Sequence, residues 1–275
     1  MNSGKRQAES ESVRMASVNA AVVAARAARA IQNRLLKALY GVHEPAPEPA
    51  SALAVQDPEA NTALIKQAAR WLGADLVGVC QTDHRGHGPS NVTKAPEDLI
   101  WTVVLAVRMD RHLIAQSPRH EADLATRMGY VRMALCAPAV GECIRELGYR
   151  AISAGNEFCP SVPLAQAAGL GQMGRHGLLI TAEFGPCIRL CKVFTNLPLR
   201  PDRPVEMGVE AYCRGCDACV KACPAQAIGS GTAPGEWSAD GRKCRAYWER
   251  IGRCCSTCVA VCPFPNTVPG ATSNP

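Results

Sequence analysis

CRGCDACVKACP, Cys213 to Pro224, sets four cysteines at C-x2-C-x2-C-x3-C and follows the last with proline. At that spacing the first three thiolates hold one iron–sulfur cubane and the fourth crosses to a second. Downstream, CCSTCVAVCPFP repeats the ending as Cys255-x2-Cys258-x3-Cys262-Pro. This half has three cysteines in register and needs one from upstream. Cys244, in DGRKCRAYW, is the candidate. The spacing therefore assigns Cys213, Cys216, Cys219 and Cys262 to one [4Fe–4S] cluster, and Cys223, Cys244, Cys255 and Cys258 to the other. Cys254 rivals Cys255, and spacing favours Cys255. Zinc usually takes four ligands in two pairs, which fits eight cysteines in this pattern less well.

Composition agrees. Of fifteen cysteines in 275 residues, nine fall between Cys213 and Cys262. In a reducing compartment so many would not be structural disulfides. No apolar run approaches the ~20 residues of a membrane span, and neither a secretory signal nor a twin-arginine pair stands out. The expected compartment is the cytoplasm. Two cubanes of about –2 each would bring the formal charge of +6 to about +2, which does not call for a nucleic-acid partner.

Upstream, residues 13–40 read as a helix, with Val18, Val22, Ala25, Ala28, Ile31, Leu35 and Leu39 at helical spacing. HEPAPEPASA (43–52) is a Pro/Ala linker. TALIKQAARWLG is a helix stopped by Gly73, ADLVGVC a short buried strand, and IWTVVLAVRM another. EADLATRMGYVRMALCAPAVGECIRELG is helical, with an interruption near Pro138 and a stop at Gly148. YRAISAG is a strand and PLAQAAGLG a short helix. HGLLITAEFG and CIRLCKVFTNLPL are strands joined by a Gly-Pro turn. Strands and helices alternate, so this part is layered. The domains expected are a helical arm and linker (1–50), a layered domain (51–205) and the cysteine module (206–275).

GLGQMGRHG (169–177) contains a full G-x-G-x-x-G. A dinucleotide fingerprint follows a strand, opens a helix and has an acid ~20 residues on. Here the glycines follow a helix and precede a strand, and the residue twenty past Gly169 is Arg189. The match is not a nicotinamide or flavin site.

This segment, followed by GPCIRLCKVFTNLPL and a two-cluster module, resembles the catalytic subunits of corrinoid-dependent reductive dehalogenases. Epoxyqueuosine reductases are a more distant match. The resemblance covers roughly residues 60–266. It implies an α+β fold: a layered, nitroreductase-like corrinoid-binding domain, then a two-cluster ferredoxin-like domain. It implies cobalamin as a cofactor, approached by Gly169, Gly171, Gly174 and Arg175. It implies reductive cleavage of a carbon–halogen bond in a small organohalide, fed by a low-potential donor such as ferredoxin or flavodoxin. Carried over by position, its catalytic residues are Tyr130 (proton donor), Arg189 (stabilising the phenolate) and Asn156 (holding substrate or halide). A guanidinium favours a nearby phenolate and stays charged throughout. The alternatives are an epoxyqueuosine reductase-like tRNA-modifying enzyme and a non-catalytic electron-transfer subunit. Against the first, NEFCPSVPLAQ contains no Asp.

Leu124, Met128, Val131 and Leu135 form a stripe read as core, and Tyr130 lies off it, facing solvent or a cavity. On a strand, Cys187, Arg189 and Cys191 share a face. Cys80, Cys136, Cys143 and Cys159 read as small core residues. His84, His87 and His112 read as solvated. The stretch Asp110–Ala115 lacks the glycine of a D-x-H-x-x-G cobalt-ligand motif.

Overall fold

The computed structural model describes residues 21–29, 32–33, 57–82, 95–155, 159–231 and 237–264. Asn156, the His84 and His87 loop, the 43–52 linker and most of the expected 13–40 helix lie outside these. In chain order the elements are α1 (Pro58–Trp71), β1 (Leu76–Gln81), β2 (Trp101–Arg108), α2 (Arg111–Ile114), α3 (His120–Glu146), β3 (Ala151–Ala154), α4 (Ser161–Ala167), β4 (Gln172–Met173), β5 (Leu179–Ile180), β6 (Ile188–Thr195), α5 (Val209–Gly215), α6 (Ala218–Ala222), α7 (Gly241–Ile251) and α8 (Thr257–Ala260).

Local chemistry sets the start of α1. The Asp57 carboxylate accepts from the Glu59 and Ala60 N–H groups at 3.1 and 3.3 Å, and Pro58 sits in the first turn, where no N–H is needed. Gly73, at φ +101°, follows its end.

The sheet runs β1-β2-β6-β3 with every pairing antiparallel. Central β2 is apolar on both faces, and Val103 through Val107 are wholly buried. Val103, Leu105 and Val107 join Cys191 and Val193 of β6 under α1 and α3. Val104, Ala106 and Phe194 pack on the other face with Leu164 and Ala165 of α4. Each such large aliphatic burial stabilises by about 1.5–3 kcal/mol. The result is mixed helix and sheet in layers.

Three expectations change. The α3 helix runs unbroken through Pro138. The lost backbone bond is outweighed by packing against β3 and β6, where the Ser153 hydroxyl donates to the Ala137 carbonyl at 3.0 Å. The stripe read as core is partly outside: Met128 and Leu135 are 43% and 53% exposed, although Val131 is buried. The sheet-facing side carries Met133, Ala137, Val140 and Ile144, with Tyr130 against it. A helix apolar nearly all round has several stripes, and the small-residue one approaches the sheet most closely. Finally, HGLLITAEFG is mostly turn. Only Leu179–Ile180 is strand, and it pairs with β4 in a separate hairpin.

Candidate redox site

All fifteen thiols are free of disulfides. Helices α5 and α6 carry or adjoin Cys213, Cys216, Cys219 and Cys223, α7 carries Cys244, and Cys255, Cys258 and Cys262 lie on or beside α8. Burial pushes the Cys219 thiol up to about 11, and its neighbours Cys262, Cys213 and Cys216 add to this. Burial likewise takes Cys258 to about 12, with Cys255 and Cys244 the strongest of the neighbouring thiols. Cys244 is raised by burial, then by Cys255 and Cys223. Cys219 thus neighbours Cys213, Cys216 and Cys262, Cys244 neighbours Cys223 and Cys255, and Cys258 neighbours Cys255, Cys244, Cys219 and Cys223.

Cys254 differs. Burial raises it to about 11, and its charged neighbours are Arg127, Asp123 and Arg189 rather than cysteines. Among the described residues, no three His, Cys, Asp or Glu side chains converge tightly enough for one metal ion. Zinc, at about 2.3 Å from each sulfur, would need that convergence. A cubane spreads its thiolates over four irons and does not need that convergence.

The loop bearing Cys255 is clamped to the front layer. Asp123 of α3 accepts the Cys254 N–H at 2.8 Å and pairs with Arg127 at 2.9 Å, both side chains being buried. Thr126 and Ser256 hydroxyls meet at 2.9 Å, as do Ser117 and Thr257. Arg253 donates to the Pro118 carbonyl at 2.7 Å. Sequence reading missed this clamp. Its one local signal is Asp123 and Arg127 at i,i+4.

Arg189, opposite Val107 in the β2–β6 register, crosses over α3 at Gly129. Its guanidinium lies 4.7 Å from the centre of the Tyr130 ring. The contact is with the ring face, and Arg189 Nε–H is buried with no partner among the described residues. Tyr130 and Arg189 line one cavity of about 120 Å³ with Val162, Leu178, Ile188 and Val259. Arg189 also lowers the thiol pKa of Cys244 against the upward push of burial, so its charge reaches the second quartet. Cys191 shares the Arg189 face but is core. Cys187 precedes the strand, and its Sγ donates to the Met109 carbonyl at 3.6 Å. Cys80, Cys136 and Cys159 are buried and Cys143 half-buried, while His112 is exposed.

The glycine-rich segment packs closely against the chain itself. A Cβ on Gly171 would strike the Ile180 carbonyl at 2.1 Å, one on Gly169 the Arg203 carbonyl at 2.5 Å, and one on Gly174 the Ile180 side chain at 2.6 Å. These glycines let the chain approach itself. Arg175 is buried and donates to the carbonyls of Cys213 (2.6 Å through Nη2) and Arg214 (3.1 Å), so it holds the cysteine module to the hairpin.

Lys192, wholly buried in β6, was also missed. Its ammonium donates to the carbonyls of Gly155 (2.7 Å) and Cys159 (2.9 Å) and to the Ser161 hydroxyl (3.0 Å). It thereby ties both ends of the segment bearing Asn156 to the sheet.

No family model matches the chain. Tetrachloroethene reductive dehalogenase of Sulfurospirillum multivorans is 34% identical over 255 residues, 76% of this chain and 51% of the relative. The chain thus spans about half that relative's length. A solved reductive dehalogenase, described in terms of B12-dependent dehalogenation, superposes with TM-score 0.72 at 27% identity over 85% of this chain and 36% of the other. Epoxyqueuosine reductase from Streptococcus thermophilus, at 17% identity and TM-score 0.53 over 75% of this chain and 66% of the other, shares the fold. By sequence and by fold, this chain is a homologue of the reductive dehalogenases, with epoxyqueuosine reductase a more distant relation.

Proposed function

We propose that this chain carries the reducing site of a dehalogenase: a small organohalide takes two electrons and one proton, loses halide, and leaves with hydrogen on that carbon. The division is a nitroreductase-like layered domain over 51–205 and a ferredoxin-like module over 206–275, behind the arm at 1–50. Two [4Fe–4S] clusters, on Cys213, Cys216, Cys219 and Cys262 and on Cys223, Cys244, Cys255 and Cys258, pass electrons singly from a low-potential donor such as ferredoxin or flavodoxin. A cobalamin, the cofactor named for the solved relative, would supply the reduction at carbon when bound. The expected compartment is the cytoplasm. Among the described residues no helix is long and apolar enough to cross a membrane.

The carrying observation is Arg189 over the Tyr130 ring, in a cavity walled by Val259 beside Cys258. Tyr130 hands its hydroxyl proton to the carbon that halide leaves, and solvent restores it. The Arg189 cation stands ready against the ring that then carries the phenolate charge. Leu178, Ile188 and Val162 keep the substrate dry, and Asn156 holds substrate or departing halide. The clamp from Asp123, Thr126 and Ser117 fixes the second quartet against this layer, so the electron path keeps its length.

The test is halide release from haloalkenes and haloaromatics by chemically reduced protein loaded with iron, sulfide and cobalamin. Release that falls at least ~100-fold in Y130F, with both clusters retained, is expected from loss of the proton donor. Wild-type protein carrying both clusters and corrinoid that frees no halide from any substrate would overturn the proposal.

A further inference from the structure

His176 lies in the turn between β4 and β5 and is 2% exposed. Its Nδ1 accepts the Leu178 N–H at 3.1 Å, which places the ring proton on Nε2. Yet Nε2 is one of four buried side-chain polar atoms that find no partner among the described residues. Native interiors rarely leave a donor so, and an orphan marks a missing acceptor.

The surroundings say which acceptor. A Cβ on Gly174 would lie 3.1 Å from His176 Cε1 and 2.6 Å from Ile180 Cδ1, so the imidazole and the Ile180 side chain border the same space over Gly174. Ile180 packs with Cys213 and Cys262. The preceding residue, Arg175, holds the Cys213 carbonyl through Nε at 3.0 Å and Nη2 at 2.6 Å. The turn is therefore built against the first quartet. Sulfide and thiolate sulfurs are the acceptors a cubane brings and the bare chain lacks.

We infer that His176 donates its Nε2–H to a sulfur of the cluster held by Cys213, Cys216, Cys219 and Cys262, and thereby raises that cluster's midpoint potential. This rests on the two-cluster reading. A hydrogen bond to a cluster sulfur favours the reduced form, which carries one more negative charge. No proton moves in the step; His176 tunes the cluster.

The experiment uses the full chain, reconstituted with iron and sulfide, as wild type, His176→Phe and His176→Gln. Iron is counted first, then each cluster is titrated by EPR. In H176F one midpoint falls by ~59 mV, a tenfold change in its reduced-to-oxidised ratio, and the other stays. H176Q keeps an N–H donor and recovers most of the shift. Unchanged midpoints in fully loaded H176F overturn the inference. Should H176F fail to load, wild-type protein with 15N-histidine decides: a 15N coupling to the reduced cluster in pulsed EPR is expected, and its absence overturns the inference. Wild-type iron far below about eight per chain sinks the two-cluster reading, and the inference with it.

Discussion

Gly129→Ala adds one methyl group where Arg189 crosses α3. Its Cβ would lie 2.9 Å from Arg189 Cγ and 3.1 Å from Met109 Cγ. Ordinary carbon contacts are ~3.5–4.0 Å, so the Arg189 stem must retreat by roughly 0.5–1 Å. Neither atom is the free end of a side chain, so the strain does not dissipate at a tip. Two effects on stability oppose each other. Alanine is ~1 kcal/mol better than glycine inside a helix, and overpacking costs about 1–3 kcal/mol. The net loss is about 0–2 kcal/mol, too small to unfold the chain. The guanidinium, 4.7 Å from the Tyr130 ring centre, has less room to absorb the shift. A 1 Å misplacement can cost ~100-fold in rate, so halide release falls about 10- to 100-fold. The assay is halide release by ion chromatography, paired with thermal unfolding and iron content. Gly241→Ala, whose Cβ meets nothing within 4 Å, serves as the control and stays near wild type. If G129A keeps both clusters and the wild-type rate, the seating of Arg189 on the ring is irrelevant to turnover and the reasoning is refuted.

Cys255→Ser lowers iron content by about half, a cluster's share, whereas Cys254→Ser keeps it; iron and sulfide analysis reads the difference, and equal losses would reopen the assignment. Lys192→Met strips a buried cation from three acceptors at 2.7–3.0 Å and costs about 3–5 kcal/mol in denaturant unfolding; a loss under ~1 kcal/mol would mean the ammonium is not the anchor. In metal-free protein, burial raises Cys80 from 9.0 to about 12 and Cys136 to about 11. The folded state then holds protons that the unfolded chain releases, so stability is full below pH ~9 and falls as pH climbs towards 11–12. Cys80→Ala flattens that alkaline fall, and an unaltered slope in urea unfolding against pH would contradict the burial argument.

What could be read without coordinates was local. Cysteines two or three residues apart suit a common centre, so a thiol-rich module after the layered part was legible. The capped start of α1 and the doubly buried β2 were legible for the same reason: the governing contacts lie within a turn or a strand. The stripe on α3 misled because its apolar residues go nearly all the way round, and only the sheet chooses a face. The glycines of 169–177 were legible only as a place of close approach, because a missing Cβ says that something comes close, and not what. The something is the chain's own carbonyls at Ile180 and Arg203.

By itself, then, the sequence determined a mixed helix-and-sheet chain with nine cysteines gathered between Cys213 and Cys262, through local spacing and periodicity. Only the tertiary structure decided how its parts work together. It set Arg189 on Tyr130, bound Lys192 to residues more than thirty positions away and joined Asp123 to Cys254 across 131 positions. Such pairings have no period or local signature. They exist because desolvated polar groups must find partners wherever packing has brought the chain.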